Sequence, residues 1–324
     1  MKNLLHVKHL NAGYVLRKGV VHAVRDAELT LDHREFLGIA GESGCGKSTL
    51  AFAITGLLQP PGKVFDGEIW FDGQDLLKLG REELRQARWK EFSFVFQASM
   101  NVLNPVMQVK GQIYDAIRAH TKMAPKDMIT RAKELFEIVH IPSQYLTAYP
   151  HQLSGGMKQR VVIATALALS PKLVLMDEPT TALDVVVQRM ILQEIDEIRK
   201  ELGISVLFIT HDLSLLVEIS DRIAIMYAGS IVEEAPSRVL YTKPLHPYTD
   251  GLMHSFPPLT GERHRLHGIA GKPPDLSGLL KGCPFAARCE KRIEGLCDQT
   301  IPVLQEMQTD HWVACHLYEK GKTG

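Results

Sequence analysis

Excess charge of either sign is missing from this chain: 37 Lys and Arg residues are matched by 37 Asp and Glu across 324 residues. That removes bulk attraction to nucleic acid or anionic lipid as a starting expectation. No secretory leader is expected either, because charged and polar residues interrupt the few apolar ones in MKNLLHVKHL. No hydrophobic run suits a membrane span. The longest, VVIATALAL (161–169), stops at Ser170-Pro171-Lys172, well short of the roughly 20 residues a bilayer requires. The chain is therefore expected to be soluble and cytosolic, with any membrane role passing through a partner. Internal repeats are absent. Cysteine is scarce, and four of the five (Cys283, Cys289, Cys297 and Cys315) fall in the last stretch.

What is present indicates a globular protein of about two domains. LGIAG (37–41), SFVF (93–96), LVLMD (173–177), ISVLFIT (204–210) and RIAIMYAG (222–229) are apolar runs of buried-strand length. Residues 125–141 place Met128, Ala132, Leu135, Phe136 and Val139 on one helical face. Residues 188–203 repeat Ile191, Ile195, Ile198 and Leu202 before the stop signal Gly203. Strands alternating with helices predict an α/β core with a largely parallel sheet. Residues 1–120 read as short strands and loops around one helix. Beyond Glu234 the texture changes: nine of the 17 prolines lie in 236–324, which predicts a loop-rich appendage or a partly disordered tail.

The strand LGIAG opens into GESGCGKS (41–48), followed by the helical stretch STLAFAITGLL. G-x-x-x-x-G-K-S between a strand and a helix is a phosphate-binding loop. Its glycines turn successive backbone N–H groups toward one anion, and the helix adds its positive end. Lys47 is expected to reach the β- and γ-phosphates and Ser48 to ligate Mg²⁺. Cys45 occupies a free position of the motif and reads as a small packing residue before it reads as a redox group. LVLMDEPT ends a buried strand in two carboxylates. Asp177 at the strand tip suits Mg²⁺ held through water, and Glu178 then suits activation of the water that attacks the γ-phosphate.

Between these motifs lies HQLSGGMKQR (151–160), and LSGGMKQR resembles the signature of ATP-binding-cassette (ABC) proteins. The resemblance covers residues from about 4 to 250, with the motifs in the family's order. It implies a P-loop NTPase (RecA-like) fold with an antiparallel β region and an inserted helical subdomain, about residues 99–158. It also implies a nucleotide-binding domain over 1–235 and a separate C-terminal domain over 236–324. By the same resemblance Gln97 is the Q-loop residue, catalytic together with Glu178 and His211 and a further Mg²⁺ ligand. ALD (182–184) is the D-loop, His211 the γ-phosphate-sensing switch, and Tyr14 the aromatic that stacks on adenine. ATP is then bound by Gly41, Glu42, Ser43, Gly44, Cys45, Gly46, Lys47, Ser48 and Thr49 of one cassette. Ser154, Gly155, Gly156 and Asp184 act in trans on the nucleotide of a facing cassette. VVVQ (185–188) departs from the family, which carries a polar residue near there, but no catalytic position is touched.

The short separation of Gln97 from Ser154 leaves room for a compact helical subdomain. Only one cassette is present. A transporter subunit fits these features. The alternative is a cassette ATPase acting on ribosomes or nucleic acid. YTKPLHPYTDGLMHS (241–255) is similar to the HPYT segment of oligopeptide, dipeptide and nickel importer ATPases, and the tail is similar to their CPF.ARC pattern with two later cysteines. ASMNVLNPV (98–106) resembles the stretch of such importers that meets a permease. The resemblance therefore implies a peripheral subunit at the cytoplasmic face of the membrane. Its implied partners are a second cassette (a different chain, or a second copy), two permeases and, indirectly, an extracellular solute-binding protein, with no nucleic acid. The cargo implied is a dipeptide or oligopeptide, with nickel or oligosaccharide as alternatives.

The tail cysteines are spaced C-x5-C-x7-C-x17-C, without the C-x-x-C knuckle of structural zinc. In a reducing compartment clustered cysteines point to metal before disulfide. Four thiolates suit an iron–sulfur cluster, and some members of the family carry a 4Fe–4S cluster at these positions. Zinc, with His311 or His316 as a substitute ligand, and free thiols remain open. Arg288, Lys291 and Arg292 nearby read as a solvated basic patch.

Overall fold

The computed structural model describes residues 3–97, 102–180, 184–255, 268–278 and 280–318. The chain divides into two compact units. One comprises Met1–Leu31, Leu37–Leu77 and Ile209–Gly324, the other Asp32–Phe36 and Lys78–Phe208. Among the described residues no helix is long and apolar enough to cross a membrane.

The first unit opens with β1 (Leu5–Leu16) and β2 (Gly19–Leu31), then β3 (Phe36–Ala40), α1 (Lys47–Ile54), β4 (Gly62–Phe71) and β5 (Gln74–Asp75). β1 is flanked antiparallel by β2 and β4 in a sheet ordered β2-β1-β4-β5. Leu5, Val7, Leu10 and Ala12 are fully buried, and the register slips between Val7 and Leu10. There His9 takes φ 46°, and Asp26 on β2 takes φ 44°. The His9 Nδ1 lies 2.8 Å from Asp26 Oδ1. A bulge of this kind breaks the two-residue alternation on which strand recognition depends. The expectation of short strands around one helix over residues 1–120 is therefore corrected. The stretch holds two strands of 12 and 13 residues and two further helices in the second unit.

Those helices are α2 (Arg81–Lys90) and α3 (Val109–His120), separated by β6 (Phe92–Val95). α3 buries Val109, Ile113 and Ile117 at four-residue spacing, the stripe of a half-buried helix. α4 (Pro125–Ile138) buries Met128, Ala132, Leu135 and Phe136, the face expected from the sequence. After α5 (Gly155–Ala166) comes β7 (Leu173–Asp177), every residue buried and parallel to β6. α6 (Val185–Leu202) starts three residues before the expected Gln188, because Asp184 caps it by accepting the Val187 N–H at 3.0 Å. Gly203, φ 65°, ends it. β8 (Ser205–Ile209) completes the strand order β8-β7-β6 of this unit.

The first unit resumes with α7 (Leu213–Ile219), β9 (Arg222–Tyr227) and β10 (Ser230–Pro236). Ala228 and Gly229, both at positive φ, form the two-residue turn that joins β9 to β10. β9 runs parallel to β3. Next come α8 (Ser237–Thr242), α9 (Pro247–His254), β11 (Gln305–Gln308) and β12 (His311–Val313). β12 pairs with β10 through Glu233↔Val313 and Glu234↔Trp312. The C-terminal segment thus extends this unit's sheet, in the order β11-β12-β10-β9-β3. Its anchor is Glu233, fully buried. The Glu233 carboxylate accepts the Leu245 N–H at 2.6 Å and the His246 N–H at 2.9 Å, and meets His311 Nε2 at 2.7 Å. Burial lowers the pKa of His246 to about 4, the Glu233 charge opposing. The neutral ring accepts the Tyr248 N–H on Nδ1 at 3.0 Å and so caps α9.

Candidate functional site

β3 delivers the chain into the phosphate loop. Gly41, φ 154°, has space for no side chain, since a Cβ there would lie 2.1 Å from the Met226 carbonyl oxygen. Gly46, φ 110°, is equally constrained, at 2.0 Å from the Ala23 carbonyl oxygen. These approaches press the loop between β2 and β9 and fix the direction in which α1 leaves it. Lys47 begins α1 and is 5% exposed. Its Nζ donates to the Gly41 carbonyl at 2.8 Å and the Glu42 carbonyl at 3.1 Å. The ammonium is therefore curled over the loop at the positive end of a helix, where an anion is met by both. Cys45 is buried, and burial raises its pKa, with Lys47 opposing. It behaves as the small packing residue that the motif allows. Tyr14 on β1 is half-buried, and its hydroxyl lies 3.1 Å from Thr49 Oγ1. Thr49, itself buried, thus anchors the Tyr14 ring. Ser48 follows Lys47 on the first turn of α1 and is half-buried, and Ser43 and Gly44 of the loop are exposed. His211 is exposed, just before Asp212 caps α7 by accepting the Ser214 and Leu215 N–H groups.

The second unit carries the acidic pair. Asp177 is the buried last residue of β7. Glu178 follows in the left-handed region at φ 43°, a conformation that persists only where its surroundings enforce it. Gln97, just beyond β6, donates from Nε2 to Glu178 Oε2 at 2.8 Å. Two of the three residues expected to be catalytic, Gln97 and Glu178, are therefore bonded to each other. Ser154 caps α5 by accepting the Met157 N–H at 3.3 Å, and Ser154 and Gly155 are exposed with Gly156 half-exposed. Asp184 is exposed at the start of α6. Ala182 and Leu183 of the expected D-loop, and Ala98–Asn101 of the expected permease-contacting stretch, lie outside the described residues.

Sequence reasoning missed what surrounds Glu42. The Glu42 N–H donates to the hydroxyl of buried Tyr248 at 2.9 Å. Its carboxylate receives Arg288 in a two-bonded fork, Nη1 to Oε2 at 2.7 Å and Nη2 to Oε1 at 2.9 Å. The Glu42 bond raises the pKa of Arg288 further. The expected solvated basic patch is corrected here, since the Arg288 side chain is only 4% exposed. Lys291 and Arg292 are exposed. The only sequence signal was a charged residue inside the CPF.ARC pattern, 246 positions from its partner.

The ABC transporter family model matches residues 24–181, and the model for the oligopeptide/dipeptide transporter C-terminal region matches residues 232–297. The dipeptide transport ATP-binding protein DppD of Caldanaerobacter subterraneus subsp. tengcongensis is 39% identical, with 99% of each chain covered. The oligopeptide transport ATP-binding protein OppD of Bacillus subtilis is 43% identical over 97% of this chain and 88% of that protein. The chain belongs to the dipeptide/oligopeptide branch of the ABC transporter family. The cassette is the ATP-binding subunit of such a transport system and hydrolyses ATP to ADP and phosphate. Its fold matches that of the ATP-binding cassette MJ0796, solved as a dimer in a post-hydrolysis state bound to ADP and Pi. The TM-score is 0.64 at 30% identity, covering 72% of this chain and 99% of that one.

In the cassette's C-terminal segment the Cys283 N–H donates to the Cys297 carbonyl at 2.8 Å, which ties two of the four thiol-bearing turns together. A Cβ on Gly282 would lie 2.3 Å from that carbonyl. Burial raises the pKa of Cys283 to about 12 and of Cys315 to about 11, and mutual repulsion among the four sulfurs adds to both. Hydrogen bonding from the backbone two residues on opposes this at Cys283 (Phe285), Cys289 (Lys291) and Cys315 (Leu317). The Cys297 sulfur accepts the Ile293 N–H at 3.4 Å. Four partly buried sulfurs with backbone donors suit a soft metal or cluster as a donor set. As they stand, no group of three or more His, Cys, Asp or Glu among the described residues is arranged to hold a metal ion. The imidazoles proposed as substitute zinc ligands already use Nε2, His311 on Glu233 and His316 on the Thr300 carbonyl at 2.8 Å.

Proposed function

We propose that the cassette powers import of dipeptides or oligopeptides from the cytoplasmic face of the cell membrane. In this reading residues 1–235 bind nucleotide and 236–324 form an importer-type extension. Residues Gly41–Thr49 bind the phosphates, Lys47 neutralises the β- and γ-oxygens, and Tyr14 stacks on adenine. Ser48, Asp177 and Gln97 hold Mg²⁺. Glu178 takes the proton of the attacking water, and His211 orients that water against the γ-phosphate. A second cassette, a different chain, closes the site from the other side and supplies its own equivalents of Ser154, Gly155, Gly156 and Asp184. Val185, Val186 and Met190, which are 68%, 70% and 50% exposed beside Asp184, give that face an apolar patch suited to a partner. Closure is driven by the higher affinity of ATP for the joined state and is passed to two permeases that receive cargo from an extracellular solute-binding protein. Nucleic acid has no role.

The observation that carries this reading is the Lys47 ammonium held over the phosphate loop at the N-terminus of α1. Its test is uptake of a labelled dipeptide by membrane vesicles that hold the cassette with its permeases and second cassette. Lys47→Ala is expected to weaken MgATP binding at least tenfold, about one to two lost charge-assisted bonds, and to stop uptake. ATP-independent uptake, or co-sedimentation with ribosomes in place of permeases, would overturn the assignment.

Within the C-terminal segment we propose that Cys283, Cys289, Cys297 and Cys315 hold a 4Fe–4S cluster, with zinc as the alternative. When bound, the group would supply ligation energy that fixes the turns carrying these cysteines. The backbone donors at the sulfurs support the reading. Protein purified anaerobically is expected to contain iron and acid-labile sulfide, and a colourless sample loaded with zinc would refute the cluster.

A further inference from the structure

Glu42 holds three different things at once. Its carbonyl accepts the Lys47 ammonium at 3.1 Å and the Cys45 N–H at 3.2 Å. Its N–H is fixed by the Tyr248 hydroxyl on α9. Its carboxylate is fixed by Arg288, in a turn between Cys283 and Cys289. Arg288 is itself over-determined. Nε donates to the Ala270 carbonyl at 2.8 Å, Nη2 also to the Ile269 carbonyl at 3.1 Å, and Nη1 to the Tyr227 hydroxyl at 3.3 Å. The guanidinium carbon lies 5.8 Å from the Tyr227 ring centre and 5.9 Å from that of Phe285. A side chain this constrained transmits displacement, because no loose rotamer absorbs it. A two-bonded arginine fork also fixes the carboxylate plane, where a lysine would fix only a point charge.

We propose that Arg288 is a positioning residue for the nucleotide phosphates: through Glu42 it sets the peptide that orients Lys47, and so couples the cysteine-bearing turns to ATP binding. If the turns shift, the Glu42 peptide turns with them, and the carbonyl that aims the ammonium is re-aimed. Coupling of this kind is reciprocal. MgATP, by fixing Lys47 and its loop, must also restrain the turns that carry Cys283, Cys289 and Cys297. Nothing in the hydrolytic chemistry requires the C-terminal segment, so the effect falls on nucleotide affinity and not on the chemical step.

The inference rests on the phosphate-loop assignment above, and the experiment separates the two. MgATP affinity and steady-state hydrolysis are measured for the full chain with its second cassette, and amide hydrogen exchange over residues 283–297 is followed with and without MgATP. Arg288→Ala is expected to raise the MgATP dissociation constant and KM about tenfold, within the usual range of coupling between sites, and to leave kcat within about twofold. Arg288→Lys falls between this and wild type. Glu42→Gln alone and with Arg288→Ala gives the same loss once, not twice. Wild-type protein slows exchange over 283–297 when MgATP binds, and Arg288→Ala loses that slowing. Should Arg288→Ala not fold, Arg288→Lys and Glu42→Gln carry the same comparison. Unchanged MgATP affinity in the Arg288 variants, additive losses in the double variant, or exchange indifferent to MgATP in wild type overturns the coupling. Undiminished MgATP binding by Lys47→Ala instead overturns the phosphate-loop assignment itself.

Discussion

Glu178→Gln is expected to stop ATP turnover while leaving ATP bound. The substitution keeps the volume of the side chain and an oxygen able to accept the Gln97 Nε2 hydrogen bond, now 2.8 Å long. It removes the one property a general base needs, an oxygen that gains a proton at neutral pH. Loss of a positioned base costs roughly 10²–10⁴ in rate, and phosphate release from the variant should fall by about that factor. The phosphate-loop contacts of Lys47 are untouched, so MgATP affinity should stay within a few-fold of wild type. In the proposed cycle ATP favours the closed pair of cassettes and hydrolysis reopens it, so the variant should accumulate as an ATP-bound dimer with its cognate cassette, detectable by light scattering. Phosphate release near the wild-type rate would show that Glu178 is not the base. The left-handed backbone of Glu178, φ 43°, supports a second arm of the experiment. Pro179 follows in sequence, and a residue before proline favours extended backbone. Glu178→Val, β-branched and poorly suited to positive φ, should therefore lose both turnover and stability, separating it from the isosteric glutamine.

How much of this was legible in the sequence divides along a physical line. Local patterns carried through: every residue of β7 was expected, and α4 buries Met128, Ala132, Leu135 and Phe136 as its spacing predicts. The phosphate loop was readable because Gly41 and Gly46 are required by contacts with Met226 and Ala23 that no side chain can share, and such a requirement leaves a fixed motif. β1 and β2 were not legible as long strands, because the bulges at His9 and Asp26 interrupt their alternation. The polar surface of α2, which buries no residue, gave no stripe to detect. Pairings across the chain were invisible for a different reason. Glu42 with Arg288, and Glu233 with His311 78 positions away, are set by how the C-terminal segment folds back, and neither residue belongs to a pattern with a period. The proline-rich texture beyond Glu234 predicted a loop-rich appendage or a partly disordered tail. Its texture gave no sign of β12, which the structure hydrogen-bonds to β10.

That attachment makes Glu233→Ala the most damaging single change expected outside the phosphate loop. Glu233 is fully buried on β10. Its carboxylate gathers the N–H groups of Leu245 and His246, which enter α9, and His311 Nε2 on β12. Alanine leaves three polar groups facing a cavity without an acceptor. Removing one member of a buried, hydrogen-bonded charged cluster costs about 3–5 kcal/mol, a large share of the 5–15 kcal/mol that holds an ordinary domain folded. The loss should appear locally first, as opening of a cooperative sub-unit and not as general loosening. β12 would part from β10, the α9 entry would lose both its fixed N–H groups, and protease should release a C-terminal fragment that wild type retains. The thermal midpoint should drop on the order of 10 °C for a unit of this size. Glu233→Gln keeps one acceptor oxygen but turns an amide N–H₂ toward a donor, so it should fall between wild type and alanine. Because Tyr248 and Arg288 reach Glu42 from this same segment, alanine at 233 should also weaken MgATP binding without any change in the phosphate loop. A wild-type midpoint, protease pattern and MgATP affinity in Glu233→Ala would mean that the segment is held elsewhere, with the strand pairs of β10 and β12 as the remaining anchor.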